Sequence, residues 1–236
     1  MSAPVCAIVG IGPKNGAAFA RRFDAAGYAI ALLSRRTDFS AQLAGELRQA
    51  RAYACDATDA ASVTTAFQSV AADLGPVDVL IYNAGGGSWQ DIEEITPEDF
   101  ERGWRVNAYG ALVASQQVIP AMLGRGAGHI IFVGATASLR GRPKSTGFAS
   151  AKAAQRSLAQ SMAKHLGPQG IHVALLIIDG PIDDAGSAAA AAGKLLDPND
   201  IAGLAHYLTT QPKSCLLYTS PSPRDLGSNL VFRILV

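Results

Sequence analysis

Four groups of residues in this sequence have types and spacings that could do chemistry. The first is a glycine turn, Val9-Gly10-Ile11-Gly12-Pro13-Lys14-Asn15-Gly16. Gly10 permits a tight turn, Gly12 lets backbone approach a phosphate, and Gly16 lets a helix pack closely on a strand. A helix opening at such a turn offers unpaired N–H groups and a partial positive charge to a pyrophosphate. The second group is Ser34-Arg35-Arg36, which ends an apolar run. A ribose hydroxyl is held by an acid at this place, and a 2′-phosphate by cations. No acid stands there, so Ser34 and Arg35 favour NADP(H) over NAD(H), with Lys14 as a second cation. Glycine-rich turns also occur without ligand, and Arg35 and Arg36 could be solvated surface charges; the two features count jointly. The third group is Lys152, an amine in Phe148-Ala149-Ser150-Ala151-Lys152, and the fourth is the acid cluster Asp179, Asp183 and Asp184.

The elements that must position these residues alternate. Apolar runs at 5–9, 28–33, 51–55, 77–82, 129–133 and 171–178 read as strands. Between them, 17–26, 39–50, 60–74, 98–124, 148–166 and 200–208 read as helices, with Pro120 bending the end of the fourth. Nearly all-apolar strands separated by helices mean βαβ units with right-handed crossovers. The expected fold is α/β: a Rossmann-type doubly wound parallel sheet in three α/β/α layers, one domain over residues 1–214. This organisation suits a chain of 236 residues that is about half hydrophobic and carries a net charge of +1. That charge gives no bulk attraction to nucleic acid or a membrane surface. No apolar run is long enough for a membrane span, and no signal peptide opens the chain. Cys6, Cys55 and Cys215 have no metal spacing, and a reduced, cytoplasmic setting is the expectation.

Residues 215–236 break the pattern. Cys215-Leu216-Leu217-Tyr218-Thr219-Ser220-Pro221-Ser222-Pro223-Arg224-Asp225 resembles, residue for residue, a translated transposase-end sequencing adapter. A Pro-rich turn followed by a final strand is the competing reading. The segment is expected to be a non-native tail, with the domain's own C-terminal strand missing.

Taken in order, the glycine turn, Asp56, Asn83-Ala84-Gly85, Asn107, Lys152 and Ile178-Asp179-Gly180-Pro181-Ile182 resemble the short-chain dehydrogenase/reductase family over about residues 3–213. The resemblance implies that Asp56, with Ala57, meets the adenine and that Asn83, Ala84 and Gly85 lie beside its ribose. It implies that Lys152 holds the nicotinamide ribose and that backbone near Gly180 and Ile182 meets the carboxamide. It also implies a small-molecule substrate and a homodimer or homotetramer formed through the two long helices.

The departures concern chemistry. Gly10 and Gly16 match the ends of the family's glycine spacing, Lys14 replaces its middle glycine, Gly12 is extra and Val9 replaces a Thr. Phe148 stands at the family's Tyr, four residues before Lys152, and Ala135 at its Ser, thirteen before Phe148. The Tyr is a general acid whose pKa the Lys lowers, and Phe148 has no proton to give. Thr136, Ser138, Ser145, Thr146 and Ser150 are nearby hydroxyls. Ser145 and Thr146 suit helix caps, and Ser150 is expected to point elsewhere. Lys152 itself, water, or an acid among Asp179, Asp183 and Asp184 raised by burial could supply the proton. Trp89 is expected to wall the substrate pocket or simply to pack. The resulting expectation is an NADP(H)-dependent short-chain oxidoreductase with a non-standard site guided by Lys152 and Asn107. The alternative is a catalytically silent NAD(P)-binding protein, acting as a redox sensor or partner subunit. The segment 183–198 is too alanine-rich to name a substrate.

Overall fold

Each strand predicted from an apolar run lies in one sheet, because helices cover both of its faces and leave no polar side to alternate with. The structure, a computed structural model, describes residues 2–183, 195–211 and the backbone of 233–235. In chain order the elements are β1 (Val5–Val9), α1 (Asn15–Ala25), β2 (Ala29–Ser34), α2 (Asp38–Glu46), β3 (Ala50–Ala54), α3 (Ala60–Asp73) and β4 (Val77–Tyr82). They continue as α4 (Pro97–Trp104), α5 (Gly110–Arg125), β5 (Gly128–Ala135), α6 (Thr146–Leu166), β6 (Ile171–Ile178), α7 (Pro198–Thr210) and β7 (Arg233–Leu235). The sheet order is β3-β2-β1-β4-β5-β6-β7, and the first six strands are parallel. The order reverses between β1 and β4, the switch point where open α/β sheets bind ligands. Val9 pairs with both Leu33 and Tyr82, so these three strand ends lie level and open one crevice.

Alternate residues of the strands feed two cores. Ala7, Val9, Leu80, Tyr82, Ile130 and Phe132 pack with Phe67 of α3, Val118 and Met122 of α5, and Leu166 of α6. Cys6, Ile8, Leu32, Ile81 and Ile131 pack with Phe19 and Phe23 of α1, Leu43 of α2, and Ile201 and Leu208 of α7. Polar caps start several helices: Asp59 accepts from the Ala61 amide, Thr96 from Asp99, and Asp197 from Asn199.

The helix expected over 98–124 is broken. Arg105–Tyr109 forms a π-turn between α4 and α5. Two side chains explain it by competing for carbonyls that an α-helix would use. Asn107 Nδ2 donates to the Gly103 carbonyl at 2.8 Å, and the Tyr82 hydroxyl donates to the Val106 carbonyl at 2.6 Å. The Gly110 amide then reaches back to the Arg105 carbonyl, five residues away. Gly110 permits this close seat, since a Cβ there would lie 2.2 Å from the Ala57 carbonyl oxygen. Apolar periodicity cannot report such a turn, because its inserted residue leaves both flanks amphipathic. Pro120 lies inside α5, which runs past it to Arg125.

The edge of β6 is not bare: Arg233–Leu235 pairs with it antiparallel, Ile234 opposite Leu176. An open edge presents unpaired N–H and C=O groups to any extended segment. The rest of residues 215–236, Cys215 included, lies outside the described residues. Cys6 and Cys55 are buried free thiols.

Candidate active site

The glycine turn is shaped by what touches it. Gly10 has φ +97, and a Cβ on it would stand 2.4 Å from the Ala84 amide nitrogen. Only glycine fits both conditions. The Ala84 amide donates to the Val9 carbonyl at 2.8 Å and Asn83 Nδ2 donates to the Gly10 carbonyl at 2.6 Å, which locks the β4 end onto the turn. A Cβ on Gly16 would meet Ile11 Cα at 2.9 Å, so α1 sits directly on the turn. Gly12 is different, because a Cβ there would meet nothing within 4 Å. Its surroundings are the cleft itself. The Asn15 and Gly16 amides open α1 with no helical carbonyls to receive them. Asn15 is buried, and its Oδ1 has no hydrogen-bond partner.

The turn lies in a cleft of two lobes, about 750 and 670 Å³, that share Asn15, Asn83, Gly85, Gly86 and Ile182. Beyond the turn, the first lobe is lined by Ser34, Arg35, Asp56, Ala57 and Ala84. Thr58 donates to Asp56 Oδ1 from its amide at 2.9 Å and its hydroxyl at 2.8 Å. These bonds, helped by the Arg35 charge, hold the Asp56 carboxyl below its ordinary range. The Ser34 hydroxyl donates to the Arg36 carbonyl and meets Ser40 Oγ. Arg36 does not line the cleft, so of the two arginines only Arg35 reaches the lobe. Lys14 turns away from them: its Nζ donates to the Ile182 carbonyl at 2.7 Å, across the cleft mouth. Lys14, expected as a second 2′-phosphate cation, lines the first lobe with its amine engaged by that carbonyl. These features fit a dinucleotide: open space at Gly12, unpaired amides opening α1, and an orphaned buried acceptor on Asn15.

The second lobe holds Ala135, Phe148, Lys152, Gly180 and Ile182. Lys152 is buried, and its Nζ donates to the Val133 carbonyl at 2.8 Å and to Gln155 Oε1 at 3.1 Å. An ammonium has three protons, and these bonds use two. Burial, with no carboxylate among the causes, pushes the Lys152 ammonium down to about 7. Phe148 packs beside it: the Lys152 nitrogen lies 5.9 Å from the ring centroid, and the Trp89 ring lies 5.1 Å away. A Cβ on Gly87 would stand 3.1 Å from Phe148 Cβ, so the glycine run passes over that ring. Trp89 does wall the pocket, though 64% of it is exposed.

Asn107 lies behind the cleft rather than in it. Fully buried at the π-turn, it donates to the Gly86 carbonyl at 2.6 Å and so fixes the floor under both lobes. Its Oδ1 has no partner and would sit 3.0 Å from a Cβ on Gly85, whose other neighbour is Lys152 Nζ at 3.2 Å.

The nearby hydroxyls are engaged or turned away. Thr136 donates to the Ile178 carbonyl, and Ser150 donates back into α6, as expected. Ser145 does not cap α6 through its side chain. It donates to the Arg142 carbonyl at 2.7 Å and accepts from the Arg142 amide at 2.8 Å, closing a tight loop. Ser138 is buried with an unpartnered hydroxyl, and it does not line either lobe. Asp179 lines the second lobe, whereas Asp184 lies outside the described residues. Sequence reasoning missed Gln155, Arg140 and Arg142. Gln155 is fully buried and its Nε2 unpartnered. Its one signal is a polar residue on the Lys152 face of an amphipathic helix. Among the described residues no His, Cys, Asp and Glu groups could hold a metal ion, and no helix is long and apolar enough to cross a membrane.

Comparison with known proteins agrees with this geometry. The chain is 32% identical over 168 residues to a 2-dehydro-3-deoxy-L-rhamnonate dehydrogenase (NAD(+)) of Sphingomonas sp. strain SKA58, covering 70% of this chain and 68% of that protein. A short-chain dehydrogenase from Rhodopseudomonas palustris superposes with TM-score 0.80 at 33% identity, covering 93% of this chain and 99% of that one. A gluconate 5-dehydrogenase from Burkholderia cenocepacia J2315, in complex with NADP and tartrate, superposes with TM-score 0.80 at 25% identity, covering 91% and 90%. The short chain dehydrogenase profile matches residues 5–188, and the chain belongs to this family of oxidoreductases.

Proposed function

We propose that this protein is an NADP(H)-dependent oxidoreductase of small organic substrates in which Lys152 replaces the family's phenol as proton donor. The observation that carries the reading is Lys152 itself. Its ammonium is buried in the second lobe, has one proton uncommitted, and titrates near 7. An acid poised near the working pH is well matched to general catalysis. The cofactor, when bound, supplies or takes the hydride at the substrate carbon. During reduction, Lys152 releases a proton to the carbonyl oxygen as its C=O bond becomes C–O–H, and solvent returns the proton to the amine. Oxidation runs the same transfer backwards. Asn107 fixes the floor through Gly86, and Phe148 with Trp89 supplies an apolar wall that disfavours the charged form of Lys152 and so makes it the stronger acid.

Arg35 and the acid-free end of β2 support NADP(H) over NAD(H). Named relatives include users of either cofactor, so a titration decides. NADPH is expected to bind about tenfold tighter than NADH by fluorescence, and Arg35→Ala to remove that difference. Equal affinities in the parent protein would sink the preference, and saturation by neither would sink the oxidoreductase reading. Exposed Phe100, Trp104 and Leu112 on α4 and α5 support pairing of two copies through the long helices, which sedimentation would test. Buried reduced Cys6 and Cys55 suit a cytoplasmic setting. The activity is assigned to residues 1–214, with 215–236 outside it.

A further inference from the structure

The loop from Ser138 to Ser145 forms one rim of the second lobe and is tied down from several sides. Ser145 holds both backbone groups of Arg142. The Lys144 amide donates to Asp91 Oδ1 at 2.8 Å, and Arg156 Nε donates to the Ser138 carbonyl at 3.0 Å. Lys144 adopts φ +62, a left-handed conformation that a non-glycine residue keeps only when its surroundings enforce it. This rim carries Arg140 and Arg142 into the lining of the lobe. Among the described residues, no side chain pairs with either guanidinium. The charged residues lining the lobe are then Arg140, Arg142 and Lys152 against Asp179. The remaining wall is mostly apolar, built from Phe148, Trp89, Ala135 and Pro143, with Asn15, Asn83, Thr136 and Ser145 as its uncharged polar members.

Two guanidiniums on a fixed loop, unpaired at the edge of an apolar cleft, are a recognition device. The fork of an arginine matches a carboxylate, and little ordering entropy is lost when the backbone is already held. We infer that Arg140 and Arg142 are specificity residues for a carboxylate-bearing substrate, whose acid end they hold while its carbonyl or hydroxyl end meets Lys152. This rests on reading the second lobe as the substrate end. It adds the substrate's charge, which neither the family nor the cofactor dictates.

The test compares L-tartrate with L-threitol, which share a carbon skeleton and differ in carboxylate against hydroxymethyl ends. Binding of each to the full chain is measured by calorimetry at fixed ionic strength, with and without NADPH. Tartrate is expected to bind at least about tenfold tighter than threitol, as one charge-assisted pair would give. Arg140→Gln and Arg142→Gln should each weaken tartrate about three- to tenfold, the double variant should lose the preference, and threitol should be unaffected. NADPH affinity should stay unchanged in all three variants, which checks their folding. Equal binding of tartrate and threitol by the parent, or undiminished tartrate binding by the double variant, would overturn the inference. A failed NADPH titration alone would instead overturn the cofactor reading, because the tartrate arm also runs without cofactor.

Discussion

The two lobes of the cleft are built on different principles. The first is made of backbone: glycines where a Cβ would collide, amides opening a helix, and an Asn83 side chain that clamps a carbonyl. The second is made of side chains whose properties come from their neighbours. Lys152 titrates near 7 only because it is buried, and Phe148 is a wall because Gly87 and Trp89 cover it. A lobe built from backbone tolerates few changes where a Cβ would collide, here at Gly10 and Gly16, and more where it would not, here at Gly12. A chemical lobe built from side chains can change its proton donor while the fold stays the same.

That contrast can be broken most directly at Lys152. Lys152→Met should lower turnover by ~10²–10⁴, read as kcat on whichever carbonyl compound the parent reduces. Turnover within threefold of the parent would remove Lys152 from the proton step. The same assignment fixes a pH profile. Reduction requires the ammonium, so kcat should be flat below about 7 and fall as pH rises through it.

On the backbone side, Gly10→Ala should cost ~2–4 kcal/mol of stability by urea unfolding, because the new methyl meets Ala84 and φ +97 disfavours it. A cost under ~1 kcal/mol would mean that the turn relaxes and that the lobe is less rigid than its packing implies.

A control lies at the opposite end of the strands, where His129 and His172 meet near the starts of β5 and β6 with ring centroids 5.9 Å apart. Burial, then the charge of His172, lowers His129 from 6.5 to about 4. The unfolded chain takes up that proton below 6.5 and the folded one only near 4, so stability should fall between those values as pH falls. The expected loss is ~3 kcal/mol by urea unfolding, and His129→Gln should flatten the slope. An unchanged slope in that variant would place the acid sensitivity elsewhere. Smallest is Gln155→Leu, which removes an acceptor from the ammonium. It should move the kcat midpoint toward acid by about one unit, whereas a purely structural role would change amplitude and leave the midpoint in place.

The same division decides what could be read from the residues alone. The strand pattern and Gly10 were legible because burial on two faces and a left-handed turn leave direct marks in residue type. Arg35 was legible because its position follows from the end of β2. The bond from Lys14 to the Ile182 carbonyl was not legible, since nothing local announces a partner 168 residues away. Gln155 reads as an ordinary helix residue until Lys152 is seen against it. Arg140 and Arg142 lie in a loop without periodicity, where only the folded cleft shows what they line. The π-turn was hidden because each flank keeps a helical pattern of its own.

That turn ties chemistry to outer shape. One residue more than an α-helix needs rotates everything before it by about 100° about the helix axis. Phe100 and Trp104 therefore show the outside a face chosen by the carbonyl grip of Asn107 and Tyr82. A substitution that let Arg105–Tyr109 relax into plain α-helix would swing those rings off their present bearing. Loosening the floor of the cleft would in that way also redraw the exposed apolar surface of α4.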